Sequence, residues 1–399
     1  MSASSFSFEP TTYVVELTPV GRGAVAVVLI DGAAAVRSVD ACFTARSGRT
    51  IANTPIGRIA VGNWGGPAGE ELVVCRRDQQ RVEVQCHGGL AASRAIINSL
   101  TAEECEEVSW RTWCLRSADD RIRAEARIAL ADATTMRSAA ILLDQLNGAI
   151  TAAIHLTIAA VAAEQWSTAA EIVSEMLKHG ELGLHLTTPW RVVLAGPPNV
   201  GKSSLINSLA GFERAIVSPT PGTTRDVVTL ATAIEGWPVQ LADTAGLRPS
   251  DDELESAGVV LAQTMLAAAD LVIIVNDVTR PTLTIDGAFR SLIRSDRVIE
   301  VWNKVDLKSE RAEIVSGDDE PRQPETILET SAATRQGVSE LLNAIAAALV
   351  PDPPRAAAAV PFLPRHIEGL NIARNAIERR NSAIALDALH SLLASEAPR

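Results

Sequence analysis

The sequence predicts an α/β protein in three parts: a small N-terminal α+β domain, then a helical domain into which a parallel-sheet α/β domain is inserted. Three observations predict it. Residues 13–108 carry short, Val-rich runs broken by glycines, and from about residue 118 the apolar residues shift to helical spacing. Between residues 191 and 350 strand-like apolar runs alternate with helical stretches, the pattern of a mostly parallel sheet with helices on both faces. A length of 399 residues suits two or three domains at about 100–200 residues each. The chain is 47% hydrophobic but only 4% aromatic, so it can bury sizeable cores, and these are expected to be aliphatic.

The elements follow in chain order. Residues 1–10 read as a loose tail, with neither the basic region nor the apolar core of a signal peptide. Strands are expected at Tyr13–Glu16, Gly23–Ile30, Glu71–Cys75 and Arg81–Cys86, within an N-terminal domain spanning 1–117. The first part of the helical domain, 118–188, carries Leu142, Leu146, Ile150, Ile154 and Ile158 at steps of four, which places them on one helical face. A second helix near Ser167–Lys178 is expected to stop at Gly180, a residue suited to the C′ position.

Pro189 and Trp190 open the inserted domain, 189–351, with strands expected at Val192–Ala195, Val239–Ala242, Leu271–Val275, Val298–Trp302 and Ile327–Thr330. After a Pro- and Ala-rich linker at 350–364, Ile367, Leu370, Ala373 and Ile377 mark a further amphipathic helix, continued by Ile384, Leu389 and Leu392 in the second helical part, 352–399. Both helical parts present an apolar stripe that needs a partner. They are therefore expected to pack on each other, which makes the middle domain an insertion.

Charge and cysteine content narrow the setting. A net charge of −12 does not draw nucleic acid or an anionic membrane by long-range attraction. The five cysteines, Cys42, Cys75, Cys86, Cys105 and Cys114, form no C-x-x-C pair; an odd number without a framework fits a reducing cytoplasm. The uncharged stretch Ala149–Ala163 falls short of the ~20 residues a membrane span needs and reads as a buried bundle helix. His87 before two glycines reads as a tight turn, and Cys86 beside it as a small buried hydrophobe.

The chemistry lies in the inserted domain. Residues 196–203, GPPNVGKS, follow the strand RVVLA and precede a helical run. They fit G-x-x-x-x-G-K-[ST] in the strand–loop–helix setting of a phosphate-binding P-loop. Main-chain N–H groups of Asn199, Val200 and Gly201 and the helix start at Lys202, Ser203 and Ser204 then face phosphates. Lys202 reaches the β- and γ-phosphates, and the Ser203 hydroxyl ligates Mg²⁺.

DTAG at 243–246 follows the strand VQLA, which places Asp243 to hold the same Mg²⁺ and the Gly246 N–H to meet a γ-phosphate. NKVD at 303–306 follows VIEVW, and there the Asp306 carboxylate can accept from guanine N1–H and the exocyclic amine. Adenine offers no such pair, and an unpaired carboxylate is costly. The Lys304 stem can lie along the base, with Asn303 opening the motif and Ser331-Ala332-Ala333 offering an N–H to guanine O6.

These motifs occur in order, each at the C-terminal end of a strand, where open α/β sheets bind ligands. Together they read as a P-loop GTPase (G) domain inserted in a helical domain and preceded by the α+β domain. PGTTRD at 221–226 lies where a threonine can complete Mg²⁺ coordination. The residue after DTAG is Leu247, where many GTPases place a water-orienting glutamine. Another group must therefore act, and Glu255 in the acidic stretch 251–255 and a monovalent cation are the candidates.

The residues resemble the MnmE (TrmE) family of bacterial tRNA wobble-uridine-modifying GTPases. PNVGKSSLINSL, AIVSPTPGTTRDVV, DTAGLR and NKVD carry the likeness in the G domain, and TPVGRGAVAVV, VEVQCHGG and LLDQLNGAI extend it over most of the chain. The resemblance implies that Asn199, Ser218, Thr220 and Thr223 hold a K⁺ ion, that Thr224 ligates Mg²⁺ and that Glu255 orients water. It implies a homodimer, a folate on the N-terminal domain, and an MnmG-like flavoprotein and tRNA as partners, with neither DNA nor a membrane involved. The catalytic set is then Glu255, Lys202 and Gly246.

The departures bear on the folate. The family's folate-contacting arginine is Leu29 here, its Phe-Leu-Asn-x-Lys stretch has no counterpart, and only Glu83 matches a family folate ligand. The family's Cys-Ile-Gly-Lys-type tail is also unmatched, because no cysteine follows Cys114. Three readings follow: a tRNA-modifying GTPase with an altered one-carbon site, a regulatory relative that has lost the folate-dependent chemistry, and a ribosome-assembly GTPase. The N-terminal likeness argues against the third.

Overall fold

Period-two burial along short strands builds the first sheet. The structure, a computed structural model, describes residues 11–19, 21, 23–211, 229–243, 263–280, 293, 295–307 and 327–394. Between Asp119 and Asp120 the chain divides into two compact units.

In the first unit the strands are β1 (Tyr13–Glu16), β2 (Val25–Asp31), β3 (Phe43–Ala45), β4 (Ile59–Trp64), β5 (Glu70–Arg76), β6 (Arg81–His87) and β7 (Glu106–Glu107). They form one sheet in the order β3-β4-β5-β6-β2-β1-β7. Within it the short β1–β7 pairing is parallel, and the other described pairings are antiparallel. Three helices accompany it: α1 (Ala35–Cys42), α2 (Leu90–Ala102) and α3 (Trp110–Arg116).

Ala26, Val28 and Ile30 of β2 and Val82, Val84 and Cys86 of β6 alternate onto one face and meet Ile96, Ile97 and Leu100 of α2. Each large aliphatic side chain buried this way contributes about 1.5–3 kcal/mol. Burial, with the Glu70 carboxylate adding to it, pushes the Cys86 thiol above its ordinary pKa. Cys86 is therefore an inert core group. At the turn after β6 a Cβ on Gly88 would lie 1.7 Å from the Gly23 carbonyl oxygen, so only glycine fits there.

The second unit begins with α4 (Arg121–Asp132), α5 (Met136–Leu146), α6 (Ala149–Ala162), α7 (Trp166–Lys178) and the short α8 (Gly180–Leu184). Asp120 and Thr135 cap α4 and α5 by accepting from the Arg123 and Ser138 N–H groups, removing donors that helix starts leave orphaned. The four-step stripe from Leu142 to Ile158 is divided between two helices. Gly148 is left-handed at φ 101°, and α5 and α6 bend by 44° across it. The expected second helix also ends differently: His179 is its cap and Gly180 starts α8. A Cβ on Gly180 would sit 3.3 Å from Ile367, so the glycine permits close packing rather than a left-handed stop. Among the described residues no single helix is long and apolar enough to cross a membrane.

Two later helices, α11 (Pro364–Glu378) and α12 (Ser382–Leu393), join this bundle. α11 lies on α7 and α12, and α12 lies on α6 and α4. A buried polar cluster ties these segments together. Glu125 of α4, 7% exposed, accepts from Arg121 Nε at 3.0 Å, from Arg365 Nε at 2.6 Å and lies 2.9 Å from His366 Nε2. Burial alone would raise the Glu125 pKa, but hydrogen bonds from His366 and Arg365 and the Arg365 charge outweigh it and hold it at about 2.

Between the helical segments lies a six-stranded sheet: β8 (Trp190–Ala195), β9 (Thr229–Ile234), β10 (Trp237–Asp243), β11 (Leu271–Asp277), β12 (Val298–Asn303) and β13 (Ile327–Glu329). Its order is β13-β12-β11-β8-β10-β9, and β9 is the antiparallel edge. Val192, Leu194, Leu241, Ile273 and Val275 face α9 (Lys202–Ala210) and α10 (Val338–Leu349). Val193, Ala195, Val272 and Ile274 face the opposite side, against Leu266 of the helical turn at 263–267. Burial on both faces explains why these strands read as continuous apolar runs.

Candidate functional site

Chain order reverses on either side of β8, with β10 on one side and β11 on the other. That reversal opens a crevice at the C-terminal strand ends. The loop leaving β8 is shaped by backbone that other residues tolerate poorly. Gly196 has φ 156°, and a Cβ there would lie 2.3 Å from the Val275 carbonyl oxygen. Asn199 is left-handed at φ 65° and Gly201 at φ 97°. Gly201 caps α9, so the first N–H groups of that helix face the loop's interior, a setting that favours anions.

Lys202, 3% exposed, donates from Nζ to the Gly196 and Pro197 carbonyls at 2.9 Å each. These carbonyls give the buried ammonium hydrogen-bond partners in place of water. Ser203 donates to the Asp243 carboxylate at 2.5 Å. This joins the start of α9 to the end of β10 and places two hard oxygen donors side by side. Ser204 is exposed on the first turn of α9, and Val200 is buried beneath the loop.

A second group closes the crevice from β12 and β13. Asn303, 1% exposed, donates to the Val200 carbonyl at 2.9 Å and accepts from the Ala332 N–H at 3.2 Å. It thus ties the phosphate loop to the loop after β13. Lys304, left-handed at φ 69°, donates to the Asn199 carbonyl at 2.6 Å and to Asp277 at 2.7 Å. Asp306 is exposed and accepts from the buried Ser331 hydroxyl at 2.5 Å. Thr334 N–H donates back to Ser331 Oγ, so the carboxylate is oriented by a side chain that is itself fixed.

Sequence reasoning misses Asp277. It closes β11 at 2% exposure and braces Lys304. Burial raises its pKa, but hydrogen bonds from Lys304 and Thr279 prevail and hold it below the ordinary carboxylate range. Its only signal is a polar Asn276-Asp277 pair ending the apolar run LVIIV.

Asn199, Val200, Gly201, Lys202, Ser203, Ser204, Asp243, Asn303, Lys304, Asp306, Ser331 and Ala332 therefore converge on one edge. Ser218, Thr220, Thr223, Thr224, Gly246 and Glu255 lie outside the described residues. In the first unit, Leu29 is 4% exposed and stands opposite Glu83 in the β2–β6 register. Glu83 pairs with Arg77 at 2.6 Å.

Sequence likeness to known proteins points to the same domain. The family model described as a 50S ribosome-binding GTPase matches residues 191–304. The tRNA modification GTPase MnmE of Geobacillus kaustophilus is 32% identical over 82% of this chain and 80% of its own length. The MnmE of Chloroflexus aurantiacus is 31% identical over 95% of this chain and 91% of its own. Among solved structures, a variant of Aquifex aeolicus Era bound to GDP.AlF4⁻ is 26% identical over 47% of this chain and 66% of that one, at a TM-score of 0.31. With a P-loop GTPase domain and relatives 31–32% identical over 82–95% of the chain, this protein is a GTPase and belongs to the MnmE family.

Proposed function

We propose that the chain hydrolyses GTP to GDP and phosphate by in-line attack of water, in the service of tRNA wobble-uridine modification. The observation that carries the reading is the convergence of Lys202, the Ser203–Asp243 pair and the Asn303–Ser331–Asp306 group on one edge of one sheet. Lys202 would move its ammonium from the loop carbonyls to the β- and γ-phosphates. The Gly246 N–H would meet the γ-phosphate, and Glu255 would orient the attacking water in place of the glutamine that Leu247 replaces.

The paired oxygens of Ser203 and Asp243 suit a hard divalent ion, so these two with Thr224 are assigned to Mg²⁺. Asn199, exposed at the crest of the loop, with Ser218, Thr220 and Thr223, is assigned to K⁺. When bound, the two cations would supply charge neutralisation at the phosphates, K⁺ doing part of the work of an arginine finger. Asp306, Lys304, Ser331 and Ala332 would read guanine. The family likeness supports, as part of this proposal, activation by pairing of two G domains, an MnmG-like flavoprotein and tRNA as partners, and a cytoplasmic location. The division into residues 1–117, 118–188, 189–351 and 352–399 is part of the same proposal.

A second reading is favoured by one observation: Leu29 is buried opposite Glu83, which is engaged by Arg77. On that reading the chain is a regulatory GTPase that has lost the folate-dependent chemistry. The cation dependence of turnover separates the two. GTP turnover in KCl is expected to exceed that in NaCl at matched ionic strength, with dimerisation in the presence of a transition-state mimic. Slow turnover indifferent to the cation would favour the regulatory reading. Independently, Glu255→Ala is expected to lower kcat by about 10²-fold or more with nucleotide affinity little changed. Unchanged turnover would remove Glu255 from the mechanism.

A further inference from the structure

The β9–β10 hairpin joins two places that the reaction keeps apart. Its open end carries Asp243, hydrogen-bonded to Ser203 at the nucleotide edge. Its closed end is a two-residue turn, Glu235 at φ 50° and Gly236 at φ 77°, the left-handed pair that matches strand twist in a tight hairpin. Six register pairs from Thr229↔Ala242 to Ile234↔Trp237 hold the two strands together. The seven residues of β10 span roughly 20 Å as an extended strand. A strand neither stretches nor compresses easily, so a displacement at Asp243 reaches Trp237.

The closed end does not lie free. Arg137, in the first turn of α5, donates from Nη1 to the Glu235 carbonyl at 2.8 Å. The guanidinium sits 4.1 Å from the centroid of the buried Trp237 ring, a cation–π arrangement. The fit is close enough that a Cβ on Gly236 would come within 3.2 Å of the Arg137 Cβ. The last turn of α5 makes a second set of bonds. Asp144 accepts from the Ala357 N–H at 2.8 Å. Gln145 donates to the Ala358 carbonyl at 3.0 Å and accepts from the Val360 N–H at 3.2 Å. Those three residues belong to the linker by which the chain leaves α10, which packs on the six-stranded sheet, and enters α11. One eleven-residue helix therefore grips the G-domain hairpin at one end and the returning linker at the other.

We propose that α5 is the output lever of the GTPase, and that Arg137 is the positioning residue through which the nucleotide state at Asp243 biases the helical bundle. Arg137 touches neither nucleotide nor metal; it acts through Trp237 and the Glu235 carbonyl. The inference rests on the GTP reading of the site. By linkage, what the nucleotide does to α5 the bundle must do to the nucleotide, so partners docked on the bundle can tune GTP binding through this contact.

The test is amide hydrogen exchange on the full chain, with GDP and with a non-hydrolysable GTP analogue, alongside a separate nucleotide-affinity measurement. In the wild type, exchange in 136–146 and 357–360 is expected to differ between the two nucleotides by about 5-fold or more, the lower range of allosteric couplings. In Arg137→Ala that difference should vanish at both segments, while the affinity for GDP stays as it was and the unfolding midpoint falls only by what the lost hydrogen bond and cation–π contact contribute. Arg137→Lys keeps the charge over Trp237 and should retain part of the difference, and it also serves if the alanine variant fails to fold. A nucleotide-dependent difference in α5 that survives in Arg137→Ala would overturn the proposal, as would a wild type with no difference. Failure of the wild type to bind GTP at all would overturn the site reading first, and this inference with it.

Discussion

Replacing Asp306 with asparagine is expected to turn base preference from guanine to xanthine. The guanine edge presents two donors, N1–H and the exocyclic amine, and a carboxylate accepts both. Xanthine presents N1–H and a carbonyl, which an amide matches as acceptor and donor. In Asp306→Asn the amide NH₂ would face the guanine amine, donor against donor. Sites built around such hydrogen bonds discriminate by roughly 10⁴-fold or more, because the wrong partner leaves polar groups unpaired. The surrounding structure favours a clean switch. Ser331 donates to Asp306 at 2.5 Å and can donate equally to an amide oxygen, so the asparagine side chain keeps an orienting partner. Asn303 and Lys304, which fix the rest of the motif to the phosphate loop, are untouched. Turnover and affinity measured with GTP and xanthosine triphosphate decide it. A variant that still binds GTP tightly and gains nothing for the xanthine nucleotide would refute the role given to Asp306.

Much of this site is legible in the sequence because each motif sits at the end of a short, mostly apolar run that reads as a buried strand. VVLA, VQLA and VIEVW each announce their own termination, so Gly196, Asp243 and Asn303 can be placed on a common edge from the sequence alone. The expected strand bounds fall within a residue or two of those observed. β9, with the sequence TLATAI, gives no comparable signal. Its threonines and alanines alternate weakly, and only pairing with β10 fixes it as a strand. α2 escapes the sequence reading for a related reason: LAASRAIINSLTA is dominated by small and polar residues, and its burial rests on Ile96, Ile97 and Leu100.

What periodicity cannot encode is long-range polar pairing. Asp277 and Lys304 lie 27 positions apart, and Glu125 and His366 lie 241 apart. Nothing local marks either as a partnership. The bend at Asn147–Gly148 is visible as a turn signal but is outweighed by the regular four-step stripe. A stripe of that kind can be carried across a break when the two helices pack on the same neighbours.

The Glu125 cluster is where that hidden pairing has its largest expected effect on stability. Glu125→Ala is expected to destabilise the chain by about 3–5 kcal/mol, the usual cost of leaving one half of a buried ion pair behind. Its partners cannot relax into water easily: the side chains of Arg121 and Arg365 are 22% and 27% exposed, and that of His366 is 1% exposed. Because α4 and α11 come from opposite sides of the nucleotide-binding sheet in sequence, the loss should loosen the bundle before the sheet. Urea unfolding followed by hydrogen exchange in α11 would report it.

The pH dependence gives a second check, with a fixed sign. Glu125 is held at about 2, below its ordinary 4.5, so its contribution is complete above pH 4.5 and is lost as pH falls towards 2. His366 is held below its ordinary 6.5, first by burial and then by the neighbouring Arg365 charge, with the Glu125 hydrogen bond opposing. The unfolded chain therefore takes up that proton more readily, and stability falls as pH drops below 6.5. Both terms act in the same direction, so wild-type stability should decline in acid, beginning near pH 6.5 and steepening below 4.5. In Glu125→Ala the component below 4.5 that belongs to this residue should be absent. If the variant lost less than about 1 kcal/mol, the value of an exposed pair, the cluster could not be the element that holds the two helical segments together.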